Sequence, residues 1–262
     1  MNFRDCTKSW TTKVISAVLA ALLWLPYSAQ AGEPDPLGSP MWNYLFPGFI
    51  GADASYRFDK RVVVSAPEFA EDSSQVPITV NAVAFRDQLK KIVVWADLNP
   101  IQHIFTYYPD PVVEPIISLR IRVQQGTPVR AAVQTNDNEW HIGYTFIDAT
   151  GGGCTAPTLA AANPYWENHL GEVESAQFTR TDTTRYRFRV IHPMDTGLVD
   201  AVPEFFIEQL EIRDASNAKR ASMELYPPIS ENPVFTFDIN DDSQNYTLWM
   251  RDNGGNIFET AL

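Results

Sequence analysis

The sequence predicts an all-β protein built of two sandwiches in tandem. Three observations carry that prediction. Segments that alternate apolar and polar residues recur along the chain, as in Leu119-Arg120-Ile121-Arg122-Val123, Tyr186-Arg187-Phe188-Arg189-Val190 and Phe235-Thr236-Phe237-Asp238-Ile239. A period of two places one face on a core and the other in water. Turn-forming clusters punctuate these segments at Asn99-Pro100, Tyr108-Pro109-Asp110-Pro111, Asn136-Asp137-Asn138 and Asp252-Asn253-Gly254-Gly255, and many short strands at such spacing favour sandwiches over a parallel sheet with crossover helices. The alternation fails once, from Thr150 to Leu170, where Gly151-Gly152-Gly153-Cys154-Thr155-Ala156-Pro157 is followed by Ala160-Ala161-Ala162.

The elements follow in order. Arg4, Lys8 and Lys13 precede an apolar run from Val14 to Leu25, and Ser28-Ala29-Gln30-Ala31 supplies small residues for a cut after Ala31. This is the pattern of a secretory signal peptide over residues 1–31. The apolar run is shorter than the ~20 residues a membrane span needs, so no stable membrane insertion is expected. Cleavage takes the chain from 262 residues with net charge −12 to 231 residues with net charge −14. So acidic a chain is a poor partner for phosphate backbones, which excludes nucleic acid. Residues 32–54 form an N-terminal extension whose aromatic stretch Trp42-Asn43-Tyr44-Leu45-Phe46 either docks on a sandwich or forms a partner patch. The first sandwich spans 55–155, with Val62-Val63-Val64 and Ile92-Val93-Val94-Trp95 as interior runs. A connector over 156–170, with a helical turn around Pro164 to Leu170, leads to a second sandwich over 171–262. Each half is close to the ~100 residues of an immunoglobulin-like sandwich.

The chemistry concentrates on sulfur. Of the two cysteines, Cys6 leaves with the signal segment and Cys154 stays as the only thiol of an exported chain. In an oxidising compartment thiols usually pair, so a solitary one is either buried and inert or reactive and used. Gly151, Gly152 and Gly153 remove three side chains and open backbone angles closed to other residues, which suits a flexible stem. No Lys or Arg lies close to Cys154 in sequence, the nearest being Arg130 and Arg180, so nothing signals a strongly activated thiolate. Three readings stand on the residues alone. Cys154 is a thiol loaded by other enzymes, a small apolar residue packed under a glycine turn, or a nucleophile with His103, His141, His169 or His192 as its base. His192-Pro193-Met194 offers too few ligands for a metal, and Asn240-Asp241-Asp242 reads as turn chemistry. No phosphate loop, dinucleotide-binding glycine pattern or serine-nucleophile elbow is present. No catalytic residue, metal or cofactor is therefore expected.

Several stretches together resemble a known system. The first half resembles SoxY, the sulfur-carrying subunit of the periplasmic thiosulfate-oxidising system, through Val76-Pro77-Ile78-Thr79-Val80, Ile92 to Pro100, Leu119 to Val123 and Gly151-Gly152-Gly153-Cys154. The second half resembles SoxZ, its partner subunit, through His192 to Gly197, Pro203-Glu204-Phe205-Phe206-Ile207, Glu231 to Phe235 and Arg251 to Gly255. The whole is similar to fused SoxYZ-like carriers associated with quinoprotein (PQQ-dependent) dehydrogenases, a group that the start Asp35-Pro36-Leu37-Gly38-Ser39-Pro40-Met41-Trp42 also fits. The resemblance implies immunoglobulin-like folds in both halves, contact between them, and a periplasmic carrier rather than an enzyme. It implies that Cys154 holds the cargo covalently, with Gly151, Gly152 and Gly153 as its flexible stem. The implied partners are periplasmic sulfur-oxidation enzymes, or a quinoprotein dehydrogenase and its cytochrome. The chain departs from SoxY in one respect: the family's cysteine sits at a free carboxyl end between glycines, whereas Thr155-Ala156-Pro157 and a second domain follow Cys154. A tethered loop reaches less far than a free tail, and Pro157 stiffens its exit. The alternative is a non-catalytic accessory protein that docks on the dehydrogenase, its cysteine incidental.

Overall fold

Alternation becomes strand wherever one face finds a core. The computed structural model describes residues 33–158, 165–240 and 245–262. The signal segment, positions 159–164 of the connector, and Asp241 and Asp242 lie outside the described residues. The first half contributes β1 (Tyr56–Phe58), β2 (Val63–Ser65), β3 (Phe69–Ala70), β4 (Val76–Asn81), β5 (Leu89–Ala96), β6 (His103–Pro109), β7 (Val113–Ile121), β8 (Thr127–Thr135) and β9 (Trp140–Ala149). The second half contributes β10 (Val173–Thr179), β11 (Thr184–Val190), β12 (Ile207–Arg213), β13 (Lys219–Leu225), β14 (Val234–Ile239), β15 (Thr247–Asp252) and β16 (Ile257–Ala261). One alternating segment behaves as its pattern demands: Tyr186, Phe188 and Val190 of β11 are buried, and Arg187 and Arg189 between them are exposed, whereas in Leu119 to Val123 and Phe235 to Ile239 the polar Arg122 and Asp238, expected in water, are buried as well.

Both halves are immunoglobulin-like β-sandwiches, but they share their sheets. One sheet runs β1-β9-β8-β5-β6-β13-β12-β15-β16, with β3 paired to β9, and the other runs β10-β11-β14-β7-β4-β2. Each therefore crosses from the first half to the second, at β6–β13 (Tyr108 opposite Ser222) and at β7–β14 (Ser118 opposite Thr236). An unpaired strand edge leaves a row of backbone donors and acceptors that another strand can satisfy. Here each half satisfies the other's. The core is likewise continuous: Phe105 and Tyr107 of the first half pack with Met223, Leu225 and Phe237 of the second, the Tyr107 and Phe237 rings 5.8 Å apart. Residues 33–262 thus form a single compact unit.

The aromatic stretch of the N-terminal extension docks. Helix α1 (Trp42–Ile50) buries Trp42, Leu45 and Ile50 against Val93, Trp95, Ala132, Trp140 and Ile142 on the outer face of the large sheet. This explains why Ile92–Ala96 of β5 is buried on both faces. Burial of such side chains is worth roughly 1.5–3 kcal/mol each. Asp35, just upstream, anchors the extension to Arg130 of β8 through two hydrogen bonds of 2.7 and 2.8 Å. The helical turn expected within the connector is α2 (Tyr165–His169).

Candidate functional site

Cys154 lies where the two halves meet. The chain leaves β9, turns through Gly151 and Gly152 with φ of 107° and 86°, and runs beside the extension of β7. Gly152 N donates to Gln124 O (3.0 Å) and Gly153 N to Val123 O (3.1 Å), while Val123 N donates to Ser73 O (2.8 Å). Cys154 N then donates to the Gln124 side-chain oxygen at 3.2 Å. A side chain cannot fit at position 153, since its Cβ would stand 2.0 Å from Ser73 O and 2.6 Å from Val123 O. Glycine is needed here for close approach of backbones. An open groove of about 280 Å³ lined by Glu71, Asp72, Ser73, Ser74 and the three glycines runs along the outside of this segment.

The second half closes over the cysteine. The Thr196 hydroxyl donates to Cys154 O at 2.8 Å, and the Thr158 hydroxyl donates to Asp195 at 3.0 Å. Ser230 donates through its hydroxyl to Ser74 O (2.8 Å) and through its N–H to Arg120 O (3.1 Å). As a result Cys154 is 1% exposed. Burial pushes its thiol pKa up to about 12, against an opposing pull from the Arg122 charge. At neutral pH a thiol with such a pKa is ionised to the extent of only about one part in 10⁵.

This differs from the expectation of a swinging stem. In the described conformation Gly151, Gly152 and Gly153 are not a loose arm: two of them are hydrogen-bonded into the sheet edge and the third turns the chain. The cysteine is buried where the loops 192–196 and 226–232 of the second half pack against this segment and its neighbours.

The histidines proposed as a base are engaged elsewhere. His141 bonds Asp59 at 2.9 Å, His103 stacks on Tyr226 with ring centroids 3.8 Å apart, and His169 pairs with Glu172 on the second-half surface. His192 accepts from Met194 N on Nδ1 and sits 3.6 Å from Asp252, both fully buried. Burial lowers the pKa of His103 to about 4 and that of His192 below its ordinary value. Among the described residues no hydrogen bond or ring contact joins any of the four to Cys154.

Sequence reasoning missed Arg122. It stands 32 positions before Cys154, so no local motif links the two, yet its strand flanks the cysteine in space. It is 2% exposed. Among the described residues its side chain makes one hydrogen bond, from Nη2 to Met194 O, long at 3.4 Å, and its Nε has no partner. The signal that could have found it is an arginine at the end of an alternating strand, followed at once by Val123 and Gln124 rather than by a turn.

Comparison with known proteins fits this two-part arrangement. The family model for sulfur oxidation protein SoxY matches residues 47–154, and that for sulphur oxidation protein SoxZ matches residues 172–262. The chain is a fused SoxYZ-like protein. The two matches together take in about three quarters of the sequence, and the SoxY match ends on Cys154 itself. Among solved structures, the sulfur carrier protein SoxY from Chlorobium limicola f thiosulfatophilum is 19% identical, with a TM-score of 0.37 over 42% of this chain and 96% of that one. A superoxide reductase (neelaredoxin) from Ignicoccus hospitalis is 12% identical, with a TM-score of 0.30 over 33% of this chain and 77% of that one. No curated protein matches the chain.

Proposed function

We propose that this SoxYZ-like chain is a periplasmic carrier of sulfur compounds such as thiosulfate. It holds its cargo covalently on Cys154 and presents it to partner enzymes of sulfur oxidation. It works without a catalytic centre of its own. The observation that carries this reading is that the SoxY match ends on the chain's one described cysteine, at the junction with the SoxZ half. The conformation described is then the closed, unloaded state. A protonated thiol 1% exposed neither reacts with stray oxidants nor pairs with a second chain. Loading requires the 151–158 segment to lift away from Gln124 and Thr196. The described hydrogen bonds it would break number about six, each worth about 1 kcal/mol net, so the open form is a minor population reached by local opening.

The test is intact mass spectrometry of the native protein treated with tetrathionate. The Cys154 thiolate attacks one inner sulfur, a new S–S bond forms, and thiosulfate leaves with the bonding pair of the broken S–S bond. The expected result is a single dithiothreitol-reversible S-thiosulfate adduct, absent in Cys154→Ser. A native protein that stays unmodified for hours, while the unfolded chain reacts at once, would refute carriage on Cys154.

One observation favours a second reading, that of an accessory protein docking on a quinoprotein dehydrogenase or its cytochrome. The outer face of the small sheet holds an open groove of about 420 Å³ that both halves build, lined by Arg120, Arg180, Arg185 and Arg187 beside the exposed Phe178. Only Arg185 of these is ion-paired among the described residues, with Asp238 at 2.6 Å. On an acidic chain such a face suits an acidic protein surface. In this reading Arg120→Glu with Arg187→Glu abolishes partner binding, and Cys154→Ser leaves it intact.

A further inference from the structure

Arg122 and Cys154 are held between the same two segments. On one side runs the end of β7, which continues into Arg122 and to which Gly153 and Cys154 are hydrogen-bonded through Val123 O and the Gln124 side chain. On the other runs the 194–196 loop of the second half, which takes the Arg122 Nη2 hydrogen bond on Met194 O and donates from Thr196 to Cys154 O. The main chain of Arg122 is fixed as well: its N–H donates to Pro228 O at 2.6 Å and its carbonyl accepts from Asn99 Nδ2 at 2.9 Å. The main chain is thus pinned, and the side chain it carries is 2% exposed at the junction.

What this arginine lacks is an anion. A guanidinium carries five N–H donors and a permanent positive charge. Among the described residues no carboxylate lies within ion-pair distance of Arg122. Glu231, Asp195 and Asp72 act on it only at longer range. Each of these accepts from another neighbour: Glu231 from Asn232, Asp195 from Thr158, Asp72 from Ser74. A buried cation with one long hydrogen bond to a carbonyl and an orphaned Nε is an unfinished arrangement, because buried charges are normally paired. The neutral thiol beside it does not complete it. Sulfur cargo ending in a sulfonate or in a terminal sulfide brings a negative charge to the place where the counter-charge is missing.

We propose that Arg122 is the specificity-determining residue of the Cys154 site, the counter-charge that makes the junction favour anionic cargo over neutral or cationic cargo once the segment has opened and been loaded. This rests on the reading of Cys154 as the attachment point. Arg122 acts on the group carried and takes no part in making or breaking the bond to sulfur, so it is a positioning residue rather than a catalytic one. Its strength comes from the setting: charge-assisted hydrogen bonds are stronger than neutral ones, and burial removes the water that would screen them.

Three methanethiosulfonate reagents test this on the full native protein: neutral methyl, anionic sulfonatoethyl and cationic trimethylammonioethyl. Each forms one S–S bond to the Cys154 sulfur as methanesulfinate leaves with the electron pair. The readout is the rate at which dithiothreitol removes each adduct, divided by the rate for the same adduct on the unfolded chain. The expected result is that the anionic adduct is released at least tenfold more slowly than the cationic one. Arg122→Lys keeps most of that preference and Arg122→Gln abolishes it. Equal corrected rates in the wild-type protein overturn the role of Arg122 without any variant needing to fold. A preference that survives Arg122→Gln overturns it too. If even the methyl reagent leaves Cys154 of the native chain untouched, the attachment reading falls and the specificity role with it. If that reagent labels fully and charge makes no difference, the attachment reading stands and Arg122 alone is dismissed.

Discussion

Two arginines of the SoxY half are buried to nearly the same degree, and their surroundings contrast. Arg130, fully buried on β8, receives both carboxylates that reach it. Its Nε and Nη2 bond Asp97 at 2.9–3.0 Å, its two Nη atoms bond Asp35 at 2.7 and 2.8 Å, and its guanidinium lies 4.7 Å above the Trp42 ring. Although burial alone would raise the pKa of Asp35, the bonds and charge of Arg130 hold it below the ordinary carboxylate value. Arg122, one strand away in sequence, has a single long bond to a carbonyl. The first region is a finished clamp that ties the N-terminal extension to the sheet. The second is charged but incomplete, and it adjoins the one thiol among the described residues. A fold that compensates a buried cation so fully in one place shows what completion looks like in the other.

The sharpest way to break this comparison is to remove each cation in turn. Arg130→Met strands two buried carboxylates and is expected to cost about 3–5 kcal/mol. Arg122→Met strands no carboxylate that it bonds directly, Glu231 acting on it only at longer range, and is expected to cost less than about 1 kcal/mol, or to stabilise. Urea unfolding of both variants decides the matter, and equal losses would erase the distinction. Next in size is Gly153→Ala, where the added methyl meets Ser73 O and Val123 O. A loss of about 2–3 kcal/mol is expected, with faster labelling of Cys154 by a thiol reagent. Gly152→Ala, in open space but at φ 86°, is expected to cost about 1–2 kcal/mol, for backbone reasons alone.

The pH dependence probes the junction from the other side. The Cys154 thiol has a pKa of about 12 when folded, well above that of an unfolded cysteine near 8.5. The unfolded chain therefore releases this proton first as pH rises. Stability is fully present below about pH 8.5 and falls by up to about 1.4 kcal/mol per pH unit from there toward pH 12. Cys154→Ser is expected to flatten that alkaline limb, as followed by thermal unfolding between pH 7 and 10. An unchanged slope would show that the thiol titrates as if exposed. The smallest effect belongs to Thr196→Val, which removes the hydroxyl bonded to Cys154 O. A loss of about 0.5–1.5 kcal/mol, and a labelling rate higher by up to about tenfold, are expected.

Local patterns in the sequence announced the strands and some of the packing. The alternation of Tyr186, Phe188 and Val190, and of Phe235, Phe237 and Ile239, survives intact as the inner face of β11 and β14. The stretch Trp42 to Phe46 left docking and a partner patch open, and the structure docks its Trp42 and Leu45. The pairings β6–β13 and β7–β14 were not legible, because period-2 patterning says which face is buried and nothing about which edge meets which. The site was half legible. Cys154 stood out as a solitary thiol beside glycines, and Gly153 is required there, though for close packing rather than for looseness. Arg122 and Thr196 could not be assigned, since they lie 32 and 42 positions away and join Cys154 only through the fold. The burial of the thiol follows from loops of the second half, whose placement depends on the same long-range pairing.

That pairing limits how the protein can move. Two beads on a string could present a passenger by swinging apart, but here the backbone ladder runs unbroken through both layers from one bead to the other. Parting them would unzip two rows of interstrand bonds and split a common interior. On the proposed carriage at Cys154, delivery is therefore a matter of peeling a few residues off a rigid block. Stiffening that short strip, for example with an engineered covalent cross-link, should disable the molecule while its bulk stays untouched.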